Sequence, residues 1–477
     1  MPRPRPDPWG TLLALIGIKD GAGIRAEDSA MQRYIPDLAS RSVPRYTSYP
    51  TAAEFRGDVG AAQQRDAIAA IAPGSPVSLY VHIPYCRQIC WYCGCNTGPV
   101  GRGQRLTAYL AALEAEIAAV APLLRGQVVT IHFGGGSPNA LPPAGFAALV
   151  ATLRANFGGA ATATIAVELD PRDMDRAYAE ALAAAGVTRV SLGVQTFAPR
   201  VQALINRIQP YEAVAQVVAD LRAAGIAEIN FDLMYGLPGQ TLRDIGETLD
   251  LALGLSPSRV AMFGYAHMPR LLGRQRMIDT AALPDAAARF TQSVLAFDRL
   301  GQAGYVAIGF DHFARPTDSI AIAAEAGHLR RNFQGFTDEP ADAIIGLGAS
   351  AISQFDGLLV QNEKHVGDYR DLVGAGGLAG VRGIVRTADD QLRGTIIERL
   401  LCDGTVDVAA VAIAHGAKPC AFASALPALQ QFGRLGVATL SGWRVSVPPD
   451  ARAYARLVAS AFDIYRQPDR QRFSQAI

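Results

Sequence analysis

Strand-like and helix-like patterns alternate along the middle of the chain, and this alternation constrains its fold more than any other feature. Short runs rich in β-branched and aromatic residues predict six strands, at residues 77–84, 128–133, 164–168, 187–193, 227–234 and 260–267. Apolar residues recur with helical period at residues 106–124, 143–157, 176–185, 212–224, 242–253 and 286–300. Such alternation predicts an α/β fold with a parallel sheet inside a layer of helices. We expect a partial barrel of six strand–helix units, with a complete eight-unit barrel as the alternative and residues 305–310 as a further strand.

Four segments are expected along the 477 residues. Residues 1–30 have no secretory cleavage pattern and are interpreted as a flexible extension, so Met31 could be the true start. Residues 31–60 form an N-terminal covering segment, because the stretch 44–51 is bounded by prolines and dense in hydroxyls. Residues 61–385 make the barrel domain. Residues 386–477 make a small, mostly helical C-terminal domain with a hairpin at 437–447.

The charge balance argues against several classes of partner. Lys and Arg number 44 against 43 Asp and Glu, so no global field attracts nucleic acid or an anionic membrane. The longest purely apolar runs fall short of the about 20 residues that span a bilayer. We therefore expect a cytoplasmic protein with neither nucleic acid nor membrane as a partner.

Four of the six cysteines lie in one short stretch after the first predicted strand. Cys86, Cys90 and Cys93 follow the spacing C-x3-C-x2-C, and Cys95 comes two residues later. An ordinary four-iron cluster takes four thiolates, so a loop that offers three leaves one iron open for a small molecule. A zinc knuckle normally needs a second pair of ligands further along, and disulfides need an oxidising compartment. The spacing therefore indicates an iron–sulfur cluster, with Cys86, Cys90 and Cys93 as its ligands.

Unusual residues occur where the predicted strands end, and the carboxyl ends of barrel strands are where active-site residues lie. The second strand runs into three glycines, Gly134, Gly135 and Gly136, which weaken a strand and usually mark close approach of a ligand to the backbone. The third strand ends in Glu168, which can accept two hydrogen bonds from a ribose diol or pair with a neighbouring residue.

Two other features are interpreted as structural. His132 lies on an apolar strand and is expected to be a core residue rather than a ligand. Residues 346–351 fit a loose dinucleotide fingerprint, but no long helix follows them, so a nicotinamide site is not expected.

The cysteine spacing resembles the radical S-adenosylmethionine (SAM) superfamily, in which the open iron binds SAM. Within it, the extra Cys95 and the stretches 44–51, 309–316, 331–335, 346–353 and 472–477 resemble the oxygen-independent coproporphyrinogen III dehydrogenase family. The resemblance implies oxidative decarboxylation of two propionates of coproporphyrinogen III to vinyls, giving protoporphyrinogen IX. It also implies a [4Fe-4S] cluster, two molecules of SAM, a tetrapyrrole substrate, an external electron donor and acceptor, and a monomer.

The resemblance also assigns site residues. It gives the first SAM to Tyr80, Tyr92, Gly135, Glu168 and Ile352. It gives the second SAM to Gly136, Ser137, Gln195, Arg207, Asp232 and Ala266. Tyr80 lies between the two and is given a role in relaying or steering the radical. Small departures from the family are Ser137, Phe336 and Gly264, where threonine, tyrosine and asparagine are common.

The alternative function is a haem-binding chaperone on the same barrel. Such paralogues usually lack the fourth cysteine and the stretch 310–316, and this chain has both. The substrate that the family resemblance implies carries four carboxylates, and arginine is the side chain that binds carboxylates best. Arg45, Arg315 and Arg331 are the candidates expected near the barrel mouth, although each could instead pair with an acid such as Asp311.

Overall fold

One twelve-stranded sheet forms the centre of the molecule. The computed structural model describes residues 32–101, 103–466, 473 and 475; the predicted extension at 1–30 lies outside them. The strands are β1 (Pro76–Ile83), β2 (Gln127–Gly135), β3 (Thr164–Leu169), β4 (Val187–Gln195), β5 (Glu228–Tyr235), β6 (Arg259–Gly264), β7 (Val306–Ile308), β8 (His312–Ala314), β9 (Ala343–Leu347), β10 (Ile352–Phe355), β11 (Leu358–Asn362) and β12 (Gly380–Val385).

The strand order is β12-β11-β10-β9-β1-β2-β3-β4-β5-β6-β8-β7. Strands β1 to β6 are parallel to one another, and β9 joins β1 in the same direction. Strand β8 runs antiparallel to β6, and β10 runs antiparallel to β9, so the parallel part does not continue to an eighth unit. The partial six-unit barrel is confirmed. The further strand predicted at 305–310 is present as β7, at the edge of the sheet.

Helices follow the six barrel strands at the positions predicted, within about two residues at most ends. They are α1 (Gln104–Val120), α2 (Pro143–Asn156), α3 (Arg176–Ala184), α4 (Tyr211–Ala223), α5 (Leu242–Gly254) and α6 (Ala286–Gln302). The other α-helices of the described residues are Pro36–Ala39, Ala61–Ala69, Pro199–Leu204, Ser319–Glu325, Val366–Gly374, Ala388–Asp403, Val408–Ala414, Leu426–Arg434 and Ala455–Ala459.

Helix α1 is the barrel's first outer helix, and it is strongly apolar. Together with the turn after it, it spans Gln104–Leu123 and is the one described helix long and apolar enough to cross a membrane by length and composition. Its buried face, which includes Tyr109 and Ile117, packs in the main hydrophobic core. Its Glu116 is buried as well, and accepts hydrogen bonds from Tyr369 and Asn362. Helix α1 therefore serves as a wall of the barrel.

A second hydrophobic core joins the C-terminal helices to the segment near the N-terminus. Tyr46 and Tyr49 are buried there, beside side chains of the helix Ala388–Asp403 such as Ile396. The Tyr49 hydroxyl accepts a hydrogen bond from the backbone N–H of Ile464, at 3.1 Å. The predicted hairpin is present as Thr439–Ser441 paired with Arg444–Ser446. The covering segment is thus anchored on the C-terminal helices.

Candidate active site

The loop after β1 brings its cysteines to the mouth of the barrel. A two-residue strand, Tyr85–Cys86, pairs with Gly98–Pro99 and closes the loop. Cys86, Cys90, Cys93 and Cys95 all line one cavity of about 350 Å³, which we call the cluster cavity. It also contains residues from the carboxyl ends of β2 to β6. The three predicted cluster ligands therefore face the same space.

Two arginines lie beside the Cys90 sulfur, and the neighbouring thiols differ in acidity. Cys90 Sγ lies 3.4 Å from Arg172 Nη2 and 3.3 Å from Arg207 Nη1. A hydrogen bond from the Cys95 thiol, helped by the charges of Arg274 and Arg207, lowers the pKa of Cys93 to about 6. Burial raises the pKa of Cys86 to about 11. Two cations beside buried sulfurs suit a site that binds through thiolates.

The donor set fits a four-iron cluster better than one metal ion. Among the described residues, no group of three or more His, Cys, Asp or Glu side chains is arranged to hold a single ion. Each iron of a four-iron cluster takes its own cysteine, so three sulfurs need not converge on one point. Three cysteines on one loop that line one cavity meet that requirement.

The three glycines at the end of β2 are required by close neighbours. A Cβ on Gly134 would lie 2.9 Å from Glu168 Oε2, and one on Gly135 would lie 2.6 Å from the His82 ring. A Cβ on Gly136 would lie 2.6 Å from the carbonyl oxygen of Tyr85. The backbone thus passes between β1, β3 and the cysteine loop, with Gly135 and Gly136 lining the cluster cavity.

Glu168 is held by groups on the neighbouring strand. His132 Nε2 lies 3.1 Å from Glu168 Oε1, and the Gly135 N–H lies 3.4 Å from Oε2. Burial raises the pKa of Glu168, but the hydrogen bond and charge of His132 outweigh it, so the pKa lies below its usual value. The interpretation of His132 as a core residue was incomplete, because its side chain also orients a predicted ligand-binding carboxylate.

Arg207 is the centre of a buried ion-pair network. Its guanidinium lies 3.1 Å from Asp170 Oδ2 and donates to the carbonyl oxygen of Gly193. Asp170 also pairs with Arg172, at 2.6 Å. Asp170 was not among the predicted site residues, although it lies two residues after Glu168. Because Cys90 contacts both arginines, the network ties the ends of β3 and β4 to the cysteine loop.

Asp232 lies on β5 and lines the cluster cavity. Ser191 Oγ donates to it at 2.9 Å, and Asn230 Nδ2 donates at 2.9 Å. Burial and the negative charge of Glu168 raise the pKa of Asp232 to about 6, although both donors oppose the rise. Glu168 and Asp232 therefore differ in acidity within one cavity.

The comparisons with known proteins agree with this geometry. Residues 80–252 match the model of the radical SAM superfamily. The oxygen-independent coproporphyrinogen III oxidase of Bradyrhizobium diazoefficiens is 46% identical over 437 residues, which cover 91% of this chain and 97% of that protein. The chain belongs to the oxygen-independent coproporphyrinogen III oxidase family. The oxidase of Paracoccus denitrificans is 41% identical over 433 residues, covering 90% of this chain and 95% of that protein.

A solved structure supports the same assignment. The coproporphyrinogen III oxidase HemN from Escherichia coli, described as a radical SAM enzyme, superposes with a TM-score of 0.84 at 38% identity. It covers 88% of this chain and 98% of its own. The predicted family and fold are confirmed. As a member of a radical SAM family, the protein uses a [4Fe-4S] cluster and SAM as cofactors.

Most of the residues that the family resemblance assigns to SAM lie together. Those lining the cluster cavity are Tyr92, Gly135, Gly136, Glu168, Gln195, Arg207, Asp232 and Ala266. Tyr92 was expected with the first SAM, but it lies beside Arg207 and its carbonyl oxygen shares the Gln275 amide with that of Ala266. Tyr92 is therefore grouped with residues expected at the second SAM.

Three of the assigned residues do not line this cavity. The Tyr80 hydroxyl lies 3.1 Å from His82 Nδ1, and its ring stacks on His132 with centroids 5.9 Å apart. Ser137 is buried and hydrogen-bonded to Asn139. Ile352 begins β10 and packs near Phe55. Tyr80 thus lies behind Glu168 and is linked to it through His132.

The arginine candidates occupy three different environments. Arg45 lines the cluster cavity, and its guanidinium donates to the carbonyl oxygen of Gly264 at 2.9 Å. Arg331 lies behind it, donating to the Arg45 carbonyl oxygen at 3.2 Å. Arg315 was wrongly expected at the barrel mouth: it donates to the carbonyl oxygens of residues 256 and 257, just before β6. Because β8 runs antiparallel to β6, the residue after β8 lies at the opposite end of the barrel.

Proposed function

We propose that this protein is an oxygen-independent coproporphyrinogen III oxidase. It would decarboxylate two propionates of coproporphyrinogen III to vinyls and release protoporphyrinogen IX, a step of anaerobic haem biosynthesis. The observation that carries the proposal is the convergence of Cys86, Cys90 and Cys93 on one cavity with the Gly134–Gly136 turn and Glu168, in a chain that covers its relatives almost end to end.

The reaction explains why such cofactors are needed. The C–H bond at the β-carbon of a propionate is too weak an acid for any side-chain base at neutral pH. A bound cluster with SAM would supply the carbon radical needed to take this hydrogen atom. Each propionate then loses carbon dioxide and one electron to become a vinyl, so two electrons per substrate must leave to an external acceptor.

The residues of the chain would bind and orient the two SAM molecules. Glu168, ionised because His132 donates to it, suits a ribose diol. The Gly135 and Gly136 backbone, which lines the cluster cavity, suits the polar end of SAM. Arg207, Asp232, Gln195 and Tyr92 line the other side of the cavity and suit a second molecule. Ile352 would belong to the first SAM, and Ser137 and Ala266 to the second. Tyr80 would lie between the two and steer the radical.

Several finer features belong to the proposal. Cys95 is not a cluster ligand, and it lowers the pKa of Cys93 instead. An external reductant would reduce the cluster, and an external acceptor would take the two electrons released by the decarboxylations. The enzyme works as a cytoplasmic monomer with neither membrane nor nucleic acid as a partner. Its four segments are the extension 1–30, the covering segment 31–60, the barrel domain 61–385 and the C-terminal domain 386–477.

The test is an anaerobic assay of reconstituted protein with coproporphyrinogen III, SAM and a reductant. Tetrapyrroles are oxidised to porphyrins after quenching and separated by chromatography. We expect protoporphyrin to accumulate at the expense of coproporphyrin, in amounts beyond the enzyme concentration when an electron acceptor is added. Stoichiometric haem binding without any such turnover would overturn the proposal and favour a haem chaperone.

A further inference from the structure

A second, smaller cavity beside the cluster cavity has four arginines in its lining, among mostly apolar and aromatic residues. We call it the arginine cavity; it has a volume of about 60 Å³. Its charged lining, among the described residues, consists of Arg45, Arg289, Arg452, Arg456 and Asp311. Arg289 and Arg456 are 8% exposed. Four cations around so small a space, in a chain with a net charge of +1, form a strong local field.

The arginine cavity lies at the rim of the barrel mouth, across one strand from the cluster cavity. Phe263 and Tyr265 line the cluster cavity, whereas Met262 and Gly264 line the arginine cavity. This alternation follows from the two-residue period of a strand. Arg45 lines both cavities, and its guanidinium caps the end of β6 at the carbonyl oxygen of Gly264. One arginine therefore connects the two spaces.

The acid of the arginine cavity is already paired. Asp311 Oδ1 lies 2.7 Å from His312 Nδ1, and although burial raises its pKa, His312 holds that pKa below its usual value. Burial lowers the pKa of Arg289 and Arg456, and the charge of Arg45 lowers both further. Arg456 Nη2 already donates to the carbonyl oxygen of Gln475, at 3.3 Å. Like charges repel one another at short range, so an anion bound beside Arg45 would weaken the repulsion between the arginines.

Arg331 supports Arg45 from behind. Its guanidinium lies 4.9 Å from the Phe310 ring centroid and 4.4 Å from that of Phe336. Its Nη2 donates to the carbonyl oxygen of Arg45, while its Nε and Nη1 are buried without a hydrogen-bond partner among the described residues. Arg331 thus adds positive charge behind Arg45 and fixes its backbone.

We infer that the arginine cavity is a carboxylate subsite, in which Arg45, Arg289 and Arg456 hold a propionate of the tetrapyrrole that is not reacting in that turnover. This inference rests on the proposed function. A volume of about 60 Å³ has room for a few water molecules or one carboxylate group. Arginine is the side chain best suited to hold a carboxylate, because its planar fork donates two parallel hydrogen bonds.

The two cavities then divide the carboxylates of one substrate. A reacting propionate must present its β-carbon in the cluster cavity, beside the thiols and Glu168. Another propionate reaches past Arg45 over the end of β6. Anchoring one group while another reacts fixes the ring system, and a tetrapyrrole that turns would exchange the two groups between the cavities. The site therefore selects for substrates that carry more than one carboxylate.

The test compares Arg45→Gln and Arg289→Gln with Arg315→Gln as the matched control. Arg315 also donates to backbone carbonyl oxygens, but at the opposite end of the barrel. The probe is coproporphyrin III, the fluorescent oxidised form of the substrate, whose Kd is measured by fluorescence with the reconstituted protein. KM and kcat for coproporphyrinogen III are measured anaerobically on the same preparations, together with iron per chain.

We expect Kd and KM to rise at least tenfold in both test variants, with kcat changing less than KM and iron content unchanged. Arg315→Gln should match the wild type within twofold. Added salt should also raise the Kd of the wild type more steeply than the Kd of Arg45→Gln. This comparison still tests the subsite if Arg289→Gln does not fold. Wild-type Kd in both test variants, with an active wild type, overturns the subsite alone. A wild type that neither binds nor converts the substrate overturns the proposed function and the subsite with it.

Discussion

The Nε2 atom of His132 lies 3.1 Å from Oε1 of Glu168 and donates a hydrogen bond to it. The two residues lie on adjacent parallel strands; His132 is in register with Tyr80 on β1 and with Ala166 on β3, two residues before Glu168. A row of three side chains therefore spans the adjacent strands β1, β2 and β3, from Tyr80 to Glu168. This row connects the residue expected to steer the radical with the carboxylate expected to bind SAM.

Replacing His132 by Phe should weaken SAM binding about tenfold, because a hydrogen bond to a charged group contributes about 1.5–3 kcal/mol. The pKa of Glu168 lies below its usual value in the wild type, so its carboxylate is lost only as the pH falls through that lowered value. Without His132 the pKa of Glu168 rises, so the loss of SAM affinity on acidification should begin at a higher pH. The measurement is the Kd of SAM against pH, with Glu168→Gln as the control that removes this pH dependence. Equal affinities and pH profiles in the wild type and His132→Phe would show that the bond has no such role.

Replacing Asp232 by Asn should stabilise the protein near pH 7.5. The pKa of Asp232 is raised to about 6, so the folded state binds more protons than the unfolded state between about pH 4 and 6. Stability contributed by this group therefore declines as the pH rises through that range, and the ionised carboxylate destabilises the fold above it. We expect on the order of 2 kcal/mol of stabilisation at pH 7.5 and much less at pH 4.5.

Urea denaturation of the two proteins at both pH values measures this difference. Asp298→Asn is the control, because Asp298 is exposed on helix α6 and does not line the cluster cavity. Unchanged stability of Asp232→Asn at pH 7.5 would mean that the carboxylate carries no electrostatic penalty.

Much of the fold and part of the site could be predicted from the sequence. Strand–helix alternation fixes which strand ends meet, so Gly135, Glu168 and Asp232 could be expected in one place before any coordinates. Pairings between strands were harder, because they depend on register. His132 faces Glu168 only because β2 and β3 are aligned one way, and the two are 36 residues apart.

The position of Arg315 also could not be predicted from the local sequence. Nothing in its neighbourhood reveals that β8 runs antiparallel to β6, and that direction alone moves Arg315 to the far end of the barrel. The arginine cavity was equally hidden, since Arg45, Arg289 and Arg456 come from three distant parts of the chain. Charge counts could not find it, because the whole chain is nearly neutral.

The four cysteines of the loop should differ in their effect on the cluster. We expect Cys86→Ala, Cys90→Ala and Cys93→Ala to lose nearly all iron after anaerobic reconstitution, because each removes a ligand. Cys95→Ala should retain most of it. Iron and sulfide per chain are measured for each variant, with Cys420→Ala, an exposed cysteine far along the chain, as the control. A Cys95→Ala protein as depleted as the other three would show that the ligand set is wrong.

The covering segment should be needed for stability, whereas residues 1–30 should be dispensable. Tyr49 is 6% exposed in the second core, so Tyr49→Ala should destabilise the protein by about 3–5 kcal/mol. Tyr34→Ala, at a residue 37% exposed, is the matched control and should cost far less. Thermal unfolding measures both, beside a protein that begins at Met31. Loss of folding in the shortened protein, or equal Tm for the two tyrosine variants, would contradict this account.

The central claim is that a hydrogen atom is removed from a substrate propionate in the cluster cavity. Coproporphyrinogen III carrying deuterium at the propionate β-carbons tests it most directly, in an anaerobic reaction with SAM, reductant and reconstituted enzyme. Mass spectrometry of the 5′-deoxyadenosine formed gives the answer. We predict that deuterium appears in it as deuterated substrate is converted, and that Cys93→Ala forms none. Conversion of the substrate without any deuterium in the 5′-deoxyadenosine would contradict the account.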